Sequence, residues 1–335
     1  MKKIIEYFKY DLWRVMYPLA YHGENKEGPF FEGWYFKLVS ENGKNRISII
    51  PGVYIGKDEV DNHAFIQIID GVKGNSHYLT YPISDFHHVP KSMQVSIADN
   101  HFSEQNLLLN INQNGFRATG KLFFQDLSYW PVQFTSPGIM GWYGWVPNME
   151  CYHGIVSMDH HIEGTLIINN QAKDFSKGRG YMEKDWGMAM PNAWIWMQSN
   201  HFKKKGTSLT ISIAEIPWGN RHFDGFLAGL LFDGKLFRFA TYTGAKVKAL
   251  SVSDKLVKVS IEDSKNKLFI SAHRSDGHVL QAPTTIQMDR RIMETLSAQI
   301  EIVFHQKING QWRQIYADTG AHAGLEVVGN LKNTV

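Results

Sequence analysis

The chain has 335 residues, of which 43% are hydrophobic and 13% aromatic, so it is long enough for two average domains. This composition supports a folded core and excludes intrinsic disorder. The 35 Lys and Arg residues nearly balance the 32 Asp and Glu residues, and the net charge of +3 argues against a nucleic-acid partner. Cys151 is the only cysteine, which excludes an intrachain disulfide and a cysteine zinc cluster and favours a cytoplasmic location.

Apolar residues recur at helical spacing over residues 1–17, before Pro18, and predict a short N-terminal amphipathic helix. Glu6, Lys9 and Asp11 interrupt the apolar run that a signal peptide needs, so secretion is not expected. No run of about 18 apolar residues occurs, so no membrane-spanning segment is expected either. We expect the helix to cap a core; the alternative is peripheral contact with a membrane surface.

From Phe30 onward the chain changes to short runs that alternate or are rich in β-branched and aromatic residues, separated by turn residues such as Gln113-Asn114-Gly115. These runs predict two series of antiparallel strands. The first series covers 34–40, 46–50, 64–69, 93–98, 106–112 and 116–124, and the second covers 194–200, 208–216, 225–232, 236–242, 256–262, 267–273 and 298–306.

Two series of similar length favour two successive sheets, each large enough to close into a barrel and remove its exposed edges. Polar stretches at 169–171 and 176–178 favour a boundary between them. We therefore predict residues 1–172 as the N-terminal helix and first barrel, and residues 173–335 as the second barrel.

The segment from Gly178 to Gly187 places carboxylates beside aromatic rings. If it is a strand, Tyr181, Glu183 and Asp185 share one face and Lys184 points to the other. A carboxyl among rings loses solvation, which raises its pKa and makes Glu183 a candidate proton donor. The alternative is that Glu183 and Asp185 form a structural, interdomain ion pair with Lys184 and Arg179.

His153 is a second candidate, either as a group that orients or relays a proton beside Glu183 or as a hydrogen-bonded interior histidine. The 15 histidines show no His-Glu-x-x-His pattern, and His160 and His161, in a turn-like stretch, cannot both face one site on a strand. No metal site is therefore expected. Phosphate-binding and nucleophile-elbow motifs are absent, and Cys151 is not expected to be a nucleophile.

Several motifs, taken together and in order, resemble the tocopherol cyclase family. They are the segment from Phe30 to Lys37, Tyr152 with His153, the segment from Ser157 to Gly164, the segment from Gly180 to Gly187, the segment from Trp194 to Phe202, and the segment from Leu280 to Thr284. The family is similar to lipocalin-like two-barrel proteins that include carotenoid hydratases, whose acid aligns with Glu183. Plant cyclases have Asn where this chain has Asp185, which makes Glu183 the better candidate for the shared acid.

The resemblance implies an all-β fold of two consecutive lipocalin-like (calycin) antiparallel barrels. It implies a cofactor-independent cyclase of the intramolecular lyase or isomerase type that closes a chroman-type ring on a prenylated hydroquinone or related isoprenoid. The alternatives are a hydratase of an isoprenoid alkene and a non-catalytic carrier of an isoprenoid or quinone. The implied catalytic residues are Glu183, Asp185, His153 and Tyr181, and the implied residues around the hydrophobic ligand are Glu32, Trp34, Tyr152, Trp186, Trp194, Trp196, Gln198 and Asn200.

Overall fold

A computed structural model describes residues 13–218 and 221–331. Within these residues the fold is all-β, with two large antiparallel sheets, and the predicted fold class is confirmed. The predicted N-terminal helix lies mostly outside the described residues, which begin with a helical turn at residues 13–15. No helix in the two described ranges has both the length and the apolar character needed to cross a membrane.

The first sheet contains twelve strands of the described chain, and a separate small hairpin lies between two of them. The strands and the hairpin are β1 (Phe30–Val39), β2 (Arg46–Ile55), β3 (His63–Asp70), β4 (Ser76–Pro82), β5 (Phe86–His88), β6 (Gln94–Ile97), β7 (Asn100–Ser103), β8 (Asn106–Gln113), β9 (Phe116–Gln125), the hairpin strands β10 (Val132–Gln133) and β11 (Ser136–Pro137), β12 (Cys151–Ile168), β13 (Gln171–Asp174) and β14 (Gly178–Gly187).

Inward and outward side chains alternate along these strands, and the inward ones form the first apolar core. On β1, for example, Trp34, Phe36 and Leu38 face inward and are fully buried, and alternate residues of β2, such as Ile47 and Ile49, join the same apolar cluster. The sheet curls around this cluster, and Gln113 Nε2 of β8 donates a hydrogen bond to Thr80 O of β4. These contacts fit the predicted barrel.

The strand order runs β4-β3-β2-β1-β14-β12-β9-β8-β7-β6-β5, so β14 lies between β1 and β12. β12 was not predicted from the sequence. The stretch around His160 and His161, interpreted as turn-like, is part of this 18-residue strand, in which register shifts on either side of Ser157 break the alternation.

The second sheet contains β15 (Trp194–Ser199), β16 (Ser208–Trp218), β17 (Arg221–Phe232), β18 (Lys235–Ala240), β19 (Lys246–Val252), β20 (Leu256–Glu262), β21 (Asn266–His273), β22 (His278–Ala282), β23 (Arg290–Ile308) and β24 (Gln311–Val328). Its inward residues form a separate apolar core. Short 3-10 helices occupy Glu59–Asp61, Ile83–Asp85, Gly141–Trp145 and Thr241–Thr243.

The chain divides later than the boundary predicted at residue 172. Described residues 13–69, 76–190 and 281–290 form the first compact unit, and 70–75, 191–218, 221–280 and 291–331 form the second. The polar Asn169-Asn170 pair is a tight hairpin turn between β12 and β13, because both residues adopt positive φ. β14 then pairs with β1 and β12 and belongs to the first sheet.

Candidate functional site

β14 presents two different faces, as its alternation predicted. Met182 and Trp186 belong to the first apolar core, so Lys184 between them also points to the inside of the barrel. Tyr181, Glu183 and Asp185 point to the outer face of the sheet. The outer face is nevertheless closed around Tyr181 and Glu183, whose exposed fractions are 0% and 4%.

The outer face brings together all four predicted catalytic residues, which we call the relay cluster: Tyr181, Glu183, His153 and Asp185. His153 lies opposite Asp185 in the β12–β14 register, and its Nδ1 is 2.7 Å from Asp185 Oδ1. On the other side of the ring, Nε2 is 3.7 Å from Glu183 Oε2. The Tyr181 hydroxyl donates a hydrogen bond to the same Glu183 oxygen at 2.5 Å.

His153 carries the positive charge of this cluster. Burial disfavours the imidazolium, but the carboxylates of Asp185 and Glu183 outweigh burial and raise the pKa of His153 to about 9. His153 is therefore protonated at neutral pH. The Glu183 carboxyl therefore lies between the imidazolium and the Tyr181 hydroxyl, and its role as a neutral proton donor stays a prediction.

Access to solvent differs between the two acids. The Asp185 side chain is 27% exposed, whereas the Glu183 side chain is 6% exposed. Ile155 on β12 and Tyr35 on β1 lie directly opposite Glu183 in the sheet register and are both buried. Glu183 thus has apolar and aromatic cross-strand neighbours, and Asp185 connects the cluster to the surface.

His153, Glu183 and Asp185 form a group in which one ligand atom of each lies within 4.8 Å of the others, close enough to hold a metal ion. However, the two carboxylates flank opposite nitrogens of the imidazole, which is the geometry of a hydrogen-bonded chain rather than of three ligands converging on one point. The expected absence of a metal stays a prediction.

The inner face carries a second polar group, which we call the buried anchor: Glu32, Lys184 and His22. Lys184 Nζ is 2.6 Å from Glu32 Oε1 and 2.7 Å from His22 Nδ1, and it also donates to the carbonyl oxygens of Pro18 and Ala20. The His22 backbone N–H donates to Glu32 Oε2 at 2.8 Å. The anchor thereby fastens the segment before β1 to the inside of the sheet.

Burial sets the charges of the anchor. It lowers the pKa of Lys184 to about 8, with Glu32 opposing that shift, and it lowers the pKa of His22 to about 4, with Lys184 adding to that shift. Burial also works against the charged form of Glu32, but Lys184 and His22 hold the pKa of Glu32 below its usual value. Lys184 and Glu32 therefore form a buried ion pair at neutral pH, and His22 is neutral.

Four predicted ligand-binding residues lie on this inner side. Trp186 stacks between His22 and Tyr152, with ring centroids 4.4 and 5.4 Å apart, and Trp34 donates its indole N–H to Leu19 O. The Lys184 ammonium lies 4.5 Å from the Trp186 ring and 5.2 Å from the Trp34 ring. Glu32, Trp34 and Trp186 thus make core contacts on the face opposite Glu183, and the sequence missed His22 altogether.

The basic residues near Glu183 have other hydrogen-bonded partners. Lys184 pairs with Glu32, and Arg179 pairs with Asp159 through two hydrogen bonds, one of them from Nε to Oδ1 at 2.9 Å. The ion pairs of Lys184 and Arg179 within hydrogen-bond distance are thus made to Glu32 and Asp159. Glu183 and Asp185 share His153 instead.

The remaining predicted ligand-binding residues belong to the second unit. Trp194, Trp196 and Gln198 on β15, and Asn200 just after it, are buried and point away from the apolar core that contains Ile195 and Met197. Trp194 donates its indole N–H to Glu326 Oε2 of β24 at 2.6 Å. The sequence did not single out Glu326, because a lone acid late in a long strand carries no local signal.

Two sequence relatives are plant proteins. The chain is 23% identical to "Tocopherol cyclase, chloroplastic" of Zea mays over an alignment of 319 residues, which covers 79% of this chain and 67% of the maize protein. It is 25% identical to "Probable tocopherol cyclase, chloroplastic" of Oryza sativa subsp. japonica over 200 residues, which cover 56% of this chain and 42% of the rice protein.

The fold is also found in a solved structure. The crystal structure of CghA with Sch210972 matches with a TM-score of 0.56 at 13% identity, covering 90% of this chain and 88% of that chain. The family model "Tocopherol cyclase-like" matches residues 125–329, a range that includes every member of the relay cluster. The chain belongs to the tocopherol cyclase-like family.

Proposed function

We propose that the chain is a cyclase that protonates an alkene of a prenylated hydroquinone, or of a related isoprenoid, and closes a chroman-type ring. Family membership supports this class of reaction. The observation that carries the proposal is the chain of proton-bearing groups Asp185, His153 and Glu183, which ends at a carboxylate enclosed by buried side chains.

Glu183 is the acid that faces the substrate in this proposal. The proton rests on His153 and moves from Nε2 to Glu183 when the substrate displaces water from the site. Asp185 holds the Nδ1–H of the ring, so Nε2 is the nitrogen that gives and regains the mobile proton. Tyr181 fixes the orientation of the Glu183 carboxyl.

The reaction balances without any further reagent. Glu183 gives a proton to the less substituted alkene carbon and leaves a tertiary cation. The phenol oxygen attacks the cation and forms the C–O bond, and the phenol proton returns to the Glu183 carboxylate. Tyr35 and Tyr181, whose backbones flank Glu183, offer ring faces to the cation, in place of Trp34 and Trp186 on the opposite face.

A hydratase is the second candidate, because Asp185 is partly exposed and water can approach the relay cluster from its side. Water would then capture the same cation, and the product would gain one H₂O. A carrier needs an apolar lumen rather than a relay, and the buried anchor places an ion pair inside the barrel beside Trp34 and Trp186.

Incubation with a prenylated hydroquinone in heavy water distinguishes these functions. A cyclase yields an isomer of the substrate with one carbon-bound deuterium, because the relay protons exchange with solvent. A hydratase adds the mass of water, and a carrier returns the ligand unchanged. Mass spectrometry of the extracted product gives the answer.

Glu183→Gln tests the assignment of the acid. The variant keeps size and hydrogen bonding but cannot deliver a proton, so turnover should fall by about 10²–10⁴-fold while binding, measured by quenching of tryptophan fluorescence, is retained. Asp185→Asn should be milder, and Glu301→Gln, an exposed acid of the second unit, should have no effect. Full activity of Glu183→Gln would overturn the assignment.

A further inference from the structure

Residues 132–145, which we call the aromatic loop, expose rings outside the sheet. The loop consists of the hairpin strands β10 and β11 and the 3-10 helix Gly141–Trp145. Phe134 is 71% exposed and Trp142 is 46% exposed. Large side chains in such numbers on one exposed segment mark an interaction surface rather than a core.

The loop is ordered by its own contacts. The rings of Phe134 and Trp145 lie 5.1 Å apart, and Trp145 Nε1 donates a hydrogen bond to Phe134 O at 2.8 Å. Trp142 and Tyr143 stack with centroids 4.1 Å apart. The contact between Phe134 and Trp145 therefore joins the hairpin to the short helix, and Trp142 and Trp145, three residues apart on that 3-10 helix, lie on the same side of it.

The charge of the segment indicates its partner. The 23 residues from Leu127 to Met149 contain no Asp, Glu, Lys, Arg or His, although 20% of the whole chain is charged. The side chains of this segment therefore offer no ion pair to a protein or to an anionic polymer. Trp and Tyr, with an apolar ring and a polar N–H or O–H, are the side chains that favour the boundary between lipid headgroups and acyl chains.

We propose that the aromatic loop docks the protein on the surface of a zwitterionic phospholipid bilayer. Phe134 and Trp142 enter the boundary below the headgroups, and the attraction is apolar rather than electrostatic. The segment carries no charged side chain and the zwitterionic surface has no net charge, so neither repels the other electrostatically.

The residues just after the loop are fastened to β12, next in sequence to His153 of the relay cluster. The Tyr152 hydroxyl donates to Val146 O at 2.6 Å, and the Met149 N–H donates to the Tyr152 hydroxyl at 3.2 Å, which fastens residues 146–149 to β12 one residue before His153. A prenylated substrate dissolves in the bilayer, so docking here would bring the protein to the phase that holds its substrate. This link rests on the proposed function, whereas the docking itself does not.

Sedimentation with phosphatidylcholine vesicles tests the docking. The full chain should sediment with the vesicles, and binding should not weaken in 0.5 M NaCl, because no charge is involved. Phe134→Ser combined with Trp142→Ser should reduce partitioning by at least tenfold. Phe123→Ser removes a ring of similar exposure on β9 and should bind like the parent chain.

A second measurement identifies the residues that enter the lipid. Brominated phosphatidylcholine should quench part of the tryptophan fluorescence, and Trp142→Phe should lose that part while it still sediments. Glu183→Gln should bind vesicles normally, and activity on substrate dispersed in detergent should persist in the double serine variant. Failure of the docking is thus separate from failure of the proposed chemistry.

Three outcomes would overturn the proposal. In the first, the parent chain does not sediment with phosphatidylcholine vesicles. In the second, the double variant sediments as well as the parent chain and has the same circular dichroism and melting temperature. In the third, binding requires anionic lipid and is lost in salt. Self-association that the double variant abolishes, without vesicle binding, would assign the loop to a second copy of the chain.

Discussion

At the scale of single residues, the state of His153 depends on the two carboxylates beside it. Asp185→Asn removes one of them, and burial then weighs more heavily against the imidazolium. We expect the pKa of His153 to fall from about 9 toward its ordinary 6.5. Titration of the ring protons by NMR measures this, and His160, a buried histidine whose pKa burial lowers to about 3, serves as a reference that should not move.

The same substitution changes the pH dependence of folding. Because the folded pKa of His153 lies above 6.5, its contribution to the free energy of unfolding is fully present below pH 6.5 and is lost as the pH rises to about 9. Chemical denaturation at several pH values should show a weaker decline over this window in Asp185→Asn. An identical decline in both proteins would mean that Asp185 does not hold the proton on His153.

The sequence singled out the four residues of the relay cluster, but it did not predict the role of the residues on the inner face of the same strands. Alternation shows that Glu183 and Lys184 face opposite sides of a strand, but it does not show which side is the core. A lysine is expected outside and an indole inside or at a ligand. Here Lys184 lies fully inside with Trp34 and Trp186, because Glu32 and His22 satisfy its charge there, and no local pattern encodes that arrangement.

At the scale of elements, the buried anchor joins β1, β14 and the segment that precedes β1. Lys184→Met leaves the Glu32 carboxylate buried without its cation, so we expect a loss of about 3–5 kcal/mol in the free energy of unfolding. Combining it with Glu32→Gln should recover part of that loss, since no uncompensated charge remains. Urea denaturation of the single and double variants measures both, with Lys267→Met, at a more exposed ion pair, as the control.

A double variant no more stable than Lys184→Met alone would contradict this account of the anchor. It would mean that the aliphatic chain of Lys184 and its hydrogen bonds to Pro18 and Ala20 matter more than its charge.

Regular alternation was also what made some elements predictable and others not. β3 was predicted at 64–69 and observed at His63–Asp70, because Ile66 and Ile68 alternate with polar or outward residues. β12 escaped prediction because its register shifts interrupt period two near Ser157. Asn169-Asn170 signalled a turn, but local composition does not distinguish a hairpin turn from a linker between sheets.

At the scale of the whole chain, turn signals and strand content were sufficient for an all-β fold with two sheets, since both are local properties. The division after residue 190 was not predictable in this way. It depends on β14 pairing with β1, whose partner residues, such as Tyr35 and Glu183, lie far apart in sequence. Pairing between distant strands is set by the packing of the complete core.

Because each sheet has its own apolar core, a cavity-forming substitution in one core should destabilise mainly the strands of that sheet. Phe304 on β23 is fully buried and packs its ring 4.7 Å from that of Phe237, so Phe304→Ala should cost about 3–5 kcal/mol through the cavity it leaves. Hydrogen exchange followed by mass spectrometry should show faster exchange in peptides from β15 to β24, with peptides from β1 to β14 little changed.

Phe36→Ala, in the first core between Phe102 and Phe124, is the matched control and should give the reverse pattern. Uniformly faster exchange in either variant would mean that the chain opens as one cooperative unit, and damage to the second core would then also expose the relay cluster on β12 and β14.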